Sequence, residues 1–243
     1  MALDGQVVIV TGAARGIGRY AAHSFAKQGM KVALADIDGE ALKNVARELE
    51  EMDVEALPIV TDVRDEAQVA AMVQQVVARF GRVDVLLNDA GIVPHFNWGV
   101  QRWAPIREMD KAFWDRVLET NLEGTFLCTK HVLPQMIKQG SGHVLGMHGG
   151  GGGVGAAAYV VSKDAIRTLM RFIADEEREH NICSLALSPG GAIATEEAPE
   201  EARSRLPAPD SLGDLFVQAA QAPMELSGKT VTIRDGRFET IGS

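Results

Sequence analysis

Residues 11–18 read Thr-Gly-Ala-Ala-Arg-Gly-Ile-Gly and directly follow the apolar run 6–10, which is typical of a buried strand. A helical pattern comes next and runs through Gln28. Glycines let a backbone turn sharply and approach a ligand, and the N-terminus of a helix presents unpaired N–H groups and a positive dipole end. On its own such a loop could be only a tight turn. In this strand-to-helix context it predicts a pyrophosphate-binding site.

The second strand-like run ends at Asp36, eighteen residues after Gly18. An acidic side chain there accepts hydrogen bonds from the adenosine ribose hydroxyls and repels a 2′-phosphate. Ile37 follows, where an arginine often meets the phosphate of NADP. Arg15 instead favours NADP, because it could reach a 2′-phosphate from the glycine loop. It could also be an ordinary surface arginine. We expect NAD as the cofactor, with NADP less favoured.

Short strand-like runs alternate with longer helical patterns along the rest of the chain. Strands are expected at residues 6–10, 31–36, 54–60, 83–88, 143–147, 182–188 and 229–234, and crossover helices at 40–52, 66–80 and 111–139. This alternation predicts an α/β fold, a doubly wound (Rossmann-type) parallel sheet of about seven strands with helices on both faces. We expect a single domain over residues 1–243, with a substrate lid at about 194–223.

Composition excludes several other classes of protein. Of the 243 residues, 46% are apolar and 23% are charged, and the net charge of −9 is spread without a basic stripe, so nucleic acid is not an expected partner. Cys128 and Cys183 have no metal-ligand spacing and are too few for a disulfide framework. No apolar run approaches the roughly 20 residues that span a bilayer, and the first strand leaves no room for a signal peptide. We therefore expect a cytoplasmic protein that contacts no membrane.

Tyr159 and Lys163 stand four residues apart near the start of a helical stretch, which places them on one helix face. An ammonium group close to a phenol stabilises the phenolate and lowers its pKa from about 10. A tyrosine of this kind can act as a general acid and base. Taken alone, the pair could equally be a surface contact.

The order of motifs along the chain resembles the short-chain dehydrogenase/reductase family. Besides the glycine loop and the Tyr159/Lys163 pair, the matching residues are Asn88-Asp89-Ala90-Gly91, Asn121-Leu122-Glu123-Gly124, Asp62-Val63, Pro189-Gly190 and Asp235-Gly236. The resemblance covers essentially the whole chain. It implies an NAD-dependent oxidoreductase that moves hydride between nicotinamide and a secondary alcohol or ketone.

The resemblance also implies roles for particular residues. Tyr159 would move the substrate proton, Lys163 would lower the Tyr159 pKa and hold the nicotinamide ribose, and Asn121 would anchor a water in a relay to Lys163. Cofactor contacts would come from Gly12, Arg15, Gly16, Ile17, Gly18, Asp36, Asp62, Val63, Asn88, Ala90, Gly91, Tyr159, Lys163, Pro189, Gly190, Ile193 and Thr195. The family pattern further implies a small alcohol or carbonyl substrate and a homo-oligomer, tetramer or dimer.

Two positions depart from the family pattern. Asp89 replaces an asparagine, and the serine that polarises the substrate oxygen is missing. Matching the fifth strand puts Gly149 at its position, whereas counting back from Tyr159 puts Gly146 there. Ser141 and Ser162 are not obvious substitutes. His148 is the nearest candidate donor to a carbonyl oxygen, as in an oxyanion hole. Alternatively, His148 is merely a partly exposed residue at a strand end and has no such role.

These departures leave other functions open. A non-catalytic NAD-binding or sensor protein of the same fold would explain the missing serine, while a structural or partner-binding module would make the glycine loop and Asp36 incidental. An aromatic insertion carries Phe96, Trp98 and Trp103 and indicates an apolar or ring-bearing substrate, or an oligomer interface.

Overall fold

The computed structural model describes residues 3–93, 104–149, 155–196, 198 and 200–242. The aromatic insertion with Phe96, Trp98 and Trp103 lies outside these residues, as do glycines 150–153. Within them, none of the helices is long and apolar enough to cross a membrane. The described residues also contain no cluster of His, Cys, Asp and Glu that could hold a metal ion.

A single sheet forms the centre of the molecule, with the strand order β3-β2-β1-β4-β5-β6-β7-β8. The first seven strands are parallel, which confirms the Rossmann-type prediction. Their bounds are β1 Val7–Thr11, β2 Lys31–Asp36, β3 Ala56–Val60, β4 Val85–Asn88, β5 Gly142–Met147, β6 Ile182–Leu187 and β7 Thr230–Arg234.

The eighth strand, β8 (Arg237–Ile241), was not predicted, since about seven strands were expected. It pairs antiparallel with β7 through a two-residue turn at Asp235 and Gly236. Their φ angles of 50° and 72° are those of a type I′ turn, for which Asp-Gly is a favoured sequence. The Asp235-Gly236 dipeptide therefore serves as a hairpin turn as well as matching the family pattern.

Eight α-helices are found among the described residues. They are α1 Gly16–Ala26, α2 Gly39–Glu50, α3 Glu66–Phe80, α4 Lys111–Leu118, α5 Gly124–Gln139, α6 Ala157–Glu176, α7 Glu200–Arg203 and α8 Leu215–Ala220. The predicted helix 111–139 is interrupted by a π-helical turn at Glu119–Glu123. Such turns commonly occur at functional sites, and this one contains Asn121.

Two apolar layers hold the helices to the sheet. Alternate residues of β1 enter different layers, because successive side chains of a strand point to opposite faces. Val8 and Val10 join the layer under α1, α2 and α8, and Val7 and Ile9 join the layer under α3, α5 and α6. Burial on both faces explains why the strands are apolar almost throughout.

The predicted lid at about 194–223 divides into two parts of different character. Its C-terminal part, helix α8, is buried, and its Phe216 ring lies 6.3 Å from the ring of Phe25 in α1. This part therefore belongs to the hydrophobic core rather than to a movable cover. The preceding part, which contains α7, is more exposed.

Candidate active site

A cavity of about 1020 Å³ lies at the carboxyl ends of the strands, beside β1 and β4. Between these two neighbouring strands, the order in which the chain adds strands to the sheet reverses direction. Doubly wound sheets bind ligands at such a switch point. Fourteen of the predicted site residues line it: Gly12, Arg15, Gly16, Ile17, Asp36, Asp62, Val63, Ala90, Gly91, His148, Tyr159, Lys163, Pro189 and Thr195. The fold thus brings residues from both halves of the chain to one cavity.

The glycine loop fits closely between β1 and β4. Gly12 has a φ of +70°, and a Cβ there would lie 2.9 Å from the backbone of Ala90. A Cβ on Gly18 would overlap the carbonyl oxygen of Gly12. Thr11 Oγ1 fixes the loop to β4 by accepting hydrogen bonds from the N–H groups of Asp89 and Ala90, both at 3.1 Å. Side chains at Gly12 and Gly18 would therefore prevent this close packing.

Glu196 lies against the N-terminus of α1, a contact that the sequence did not suggest. Its Oε1 accepts a hydrogen bond from the Gly16 N–H at 3.1 Å and lies 3.7 Å from Nη1 of Arg19. A carboxylate at this place satisfies an otherwise unpaired N–H group and the positive dipole end of the helix. The loop therefore presents its N–H groups to an anion, as binding of a pyrophosphate requires.

Asp36 is held rigidly at the end of β2. Its Oδ2 accepts a hydrogen bond from the Ala14 N–H at 3.1 Å, and its Oδ1 accepts one from the Asp38 N–H at 3.0 Å. Each carboxylate oxygen has a second lone pair. Asp36 can therefore accept hydrogen bonds from ribose hydroxyls without losing the contacts that orient it.

Asp62 is bound by Arg64, a residue that the sequence analysis did not single out. Arg64 donates from Nε to Oδ1 at 2.9 Å and from Nη2 to Oδ2 at 2.6 Å. These hydrogen bonds hold the pKa of the Asp62 carboxyl below its usual value. Both side chains line the cavity, so Asp62 meets any ligand there as an ionised group.

Tyr159 and Lys163 lie in the first two turns of α6, as their spacing predicts. Lys163 is 6% exposed, and its Nζ donates a hydrogen bond to the Met147 carbonyl oxygen at 3.0 Å. This ammonium lies 5.8 Å from the centre of the Tyr159 ring. The end of β5 therefore fixes Lys163 beneath the phenol.

The predicted lowering of the Tyr159 pKa by Lys163 is wrong for this conformation. Burial, and then the negative charge of Asp89, raise the pKa of Tyr159 to about 12. Burial also lowers the pKa of Lys163, against the opposing effect of Asp89. Removal from water disfavours the charged form of both groups, so Tyr159 is protonated at neutral pH.

Asn121 does not line the cavity but joins the loop after β4 to α6. Its Oδ1 accepts from the Ile92 N–H at 2.7 Å, and its Nδ2 donates to the Ile92 carbonyl at 3.2 Å and to Ser162 Oγ at 3.0 Å. Ser162 in turn donates to the Tyr159 carbonyl at 2.7 Å. Ser162, which is not an obvious substitute for the missing serine, belongs to the network that positions Tyr159.

The two candidate positions for the missing serine face different surroundings. A Cβ on Gly149 would lie 2.9 Å from Oη of Tyr159. A Cβ on Gly146 would instead lie 2.8 Å from Ile166 and 2.9 Å from Met170, both buried in α6. Gly149 therefore occupies the place that the strand register indicated, and Gly146 faces the core.

His148 lines the cavity, but its hydrogen bond limits what it can donate. Its Nδ1 lies 3.0 Å from the Lys163 carbonyl oxygen, which can only accept, so Nδ1 carries the proton. In the neutral ring Nε2 is then an acceptor. The prediction that His148 donates to a substrate oxygen is therefore wrong for neutral imidazole, and it requires the protonated form.

Four further predicted residues are not among those that line the cavity. Gly18 packs under the loop, Ile193 is 8% exposed, and Gly190 donates from its backbone to Ser188 Oγ at 3.2 Å. Asn88 ends β4, where its buried Oδ1 has no hydrogen-bond partner among the described residues. Asp38, Arg64 and Asp89 line the cavity without having been predicted as cofactor contacts.

Comparison with known proteins places this site in a family. The family model described as short chain dehydrogenase matches residues 6–205. A 3-oxoacyl-(acyl-carrier-protein) reductase of Thermotoga maritima is 36% identical over 216 residues, covering 85% of each chain. A cis-4-hydroxycyclohexanecarboxylate dehydrogenase of Sinomonas cyclohexanicum is also 36% identical, over 215 residues, covering 86% of this chain and 83% of the relative.

Among solved structures, a metagenomic short-chain oxidoreductase in complex with NADP is similar with a TM-score of 0.81 and 30% identity. The match covers 96% of this chain and 99% of the other. The similarity therefore extends over nearly the whole of both chains.

Proposed function

This chain belongs to the short-chain dehydrogenase/reductase family, and from that premise we propose that it transfers hydride between NAD and a secondary alcohol or its ketone. The observation that carries the proposal is the convergence of the glycine loop, Asp36 and the Tyr159/Lys163 pair on one cavity. The bound nicotinamide would supply or accept the hydride. The protein's own residues would bind the cofactor and move the proton.

Cofactor binding would use three features of the cavity. The N–H groups at the start of α1 would bind the pyrophosphate in place of the Glu196 carboxylate, so residues 195–196 would have to move. Asp36 would accept from the adenosine ribose, and Asp62 would lie near adenine. A relative binds NADP, but the negative charge of Asp36 beside the ribose supports NAD here, because a 2′-phosphate would be repelled.

We expect NADH to bind at least about tenfold more tightly than NADPH, and the Asp36→Ala variant to narrow that difference. The physical reason is the loss of one negative charge and of two acceptor oxygens at the ribose. Titration of nicotinamide fluorescence measures both dissociation constants.

Asp36→Asn is the companion variant, since it removes the charge and keeps an acceptor oxygen for one of the two neighbouring backbone N–H groups. Equal affinities for NADH and NADPH in the unchanged protein would contradict this assignment and would make Arg15 the governing residue.

The proton would be moved by Tyr159. A phenol whose pKa is about 12 is protonated at neutral pH, so it can donate to the oxygen of a ketone as hydride reaches the carbon. In the opposite direction it must first lose its proton to accept one from an alcohol. Lys163 would hold the nicotinamide ribose, and Asn121 would anchor the water of a proton relay to Lys163.

The two directions should therefore respond differently to pH. We expect kcat/KM for ketone reduction to be nearly flat between about pH 6 and pH 9, and that for alcohol oxidation to rise about tenfold per pH unit towards the Tyr159 pKa. Asp89 disfavours the phenolate, so Asp89→Asn should move the oxidation profile to lower pH. Initial rates at 340 nm measure both profiles.

Asp175→Asn is the matched control, because Asp175 is exposed at the far end of α6 and should leave the profile unchanged. An oxidation profile that is flat over this pH range would count against Tyr159 as the proton acceptor.

A second candidate function is a non-catalytic NAD-binding or sensor protein. It is favoured by one observation, that the position facing Tyr159 Oη is Gly149 and carries no hydroxyl. A screen of cyclic and linear secondary alcohols and ketones with NAD(H) separates the two functions, because only the enzyme turns over.

The substrate would be a small alcohol or carbonyl compound, and the cyclohexane-carboxylate dehydrogenase among the relatives supports one that bears a ring.

We also propose a homo-oligomer, tetramer or dimer, supported by the exposed aromatic rings of Phe126 and Phe172, at 47% and 55% exposure. The two cysteines are free and buried, which supports a reducing, cytoplasmic location.

A further inference from the structure

An ion pair joins the glycine loop to the start of α2. Nη2 of Arg15, the residue just before α1, contacts Oδ2 of Asp38. The other oxygen of Asp38, Oδ1, accepts from the Ala41 N–H at 3.1 Å and caps α2. Asp38 is therefore fixed by its own helix, and its free oxygen holds the guanidinium.

This pair lies at the adenosine end of the proposed cofactor site. Arg15, Asp36 and Asp38 all line the cavity. The Asp36 carboxylate accepts from Ala14, the neighbour of Arg15, and from Asp38 itself. The guanidinium consequently lies within reach of the ribose that Asp36 would bind.

We propose that Asp38 determines cofactor specificity by holding Arg15 in this ion pair, an inference that rests on the proposed dinucleotide binding. An arginine guanidinium is well suited to bind phosphate, because its planar fork can donate two parallel hydrogen bonds. While Asp38 neutralises it, a 2′-phosphate meets a neutral pair and the negative charge of Asp36. Without Asp38, the same guanidinium becomes a phosphate ligand.

Asp38 could disfavour NADP in two ways that must be separated. Its carboxylate could repel the phosphate directly, or it could occupy Arg15. Direct repulsion does not depend on Arg15, whereas the effect of the ion pair disappears when the guanidinium is removed. A double-mutant cycle at the two positions distinguishes these mechanisms.

The test is the Asp38→Ser variant. Serine is also a favoured N-cap residue, so α2 keeps its cap while the carboxylate is lost. We expect the dissociation constant for NADPH to fall about tenfold or more and that for NADH to stay within about threefold. Asp110→Ser is the matched control, because Asp110 caps α4 in the same way and does not line the cavity; it should change neither constant.

The double variant Arg15→Ala/Asp38→Ser completes the cycle, and in it the gain for NADPH should be lost. A gain that persists without Arg15 would establish direct repulsion and overturn the inference. An unchanged NADPH affinity in Asp38→Ser, with NADH still bound by the unchanged protein, would overturn this inference alone. Failure of the unchanged protein to bind NADH would overturn the proposed function as well.

Discussion

The Tyr159→Phe variant is expected to lower kcat/KM by about 10³-fold or more, with NADH affinity within about threefold of the unchanged protein. The substitution removes one hydroxyl from a ring that α6 continues to hold. A positioned general acid contributes about 10²–10⁴ to the rate. NADH-linked absorbance and nicotinamide fluorescence measure the two quantities.

The chain offers a matched control, because it has only two tyrosines. Tyr20 lies in α1, its Oη contacts the Gly213 carbonyl at 3.4 Å, and it does not line the cavity. Tyr20→Phe should leave kcat/KM unchanged. Turnover retained in Tyr159→Phe would place the proton transfer on another group and remove the main support for the proposed chemistry.

The sheet could be predicted because its signals are local in sequence. Each parallel strand is a short apolar run between helical patterns, and the seven predicted strands agree with the observed bounds within two residues. Residues at the carboxyl ends of parallel strands meet at one edge. The convergence of Asp36 and Asp62 on the cavity follows from that topology.

Contacts between distant segments could not be predicted in the same way. The hydrogen bond from Gly16 to Glu196 joins residues 180 positions apart, and the Arg15–Asp38 pair depends on how α1 and α2 lie against the sheet. Similarly, the spacing of Tyr159 and Lys163 gives their proximity but not their burial. Burial decides the direction of both pKa shifts, and it is a property of the whole fold.

The sequence left Gly146 and Gly149 as alternative positions for the missing serine, and the geometry of the site favours Gly149. Its Cβ position faces Tyr159 Oη at 2.9 Å, and its φ is not in the left-handed region. A serine can therefore adopt this backbone without strain, although the phenol must shift by a few tenths of an ångström. The hydroxyl would then lie beside Tyr159, where a substrate oxygen must lie to receive the proton.

Gly149→Ser is accordingly expected to raise kcat/KM for ketone reduction by up to about 10²-fold, because it adds a donor to the substrate oxygen. Gly149→Ala is the matched control: it adds the same Cβ and displaces the phenol equally, but it donates nothing, so it should give no gain. Thermal melts of both variants check that the protein still folds.

His148→Ala completes the test of how the substrate oxygen is polarised. The neutral ring uses its proton on the Lys163 carbonyl, so its loss should cost less than about threefold at neutral pH. If Gly149→Ser folds without any gain and His148→Ala loses nothing, neither position polarises the oxygen. The non-catalytic function would then explain the glycine better than the enzyme does.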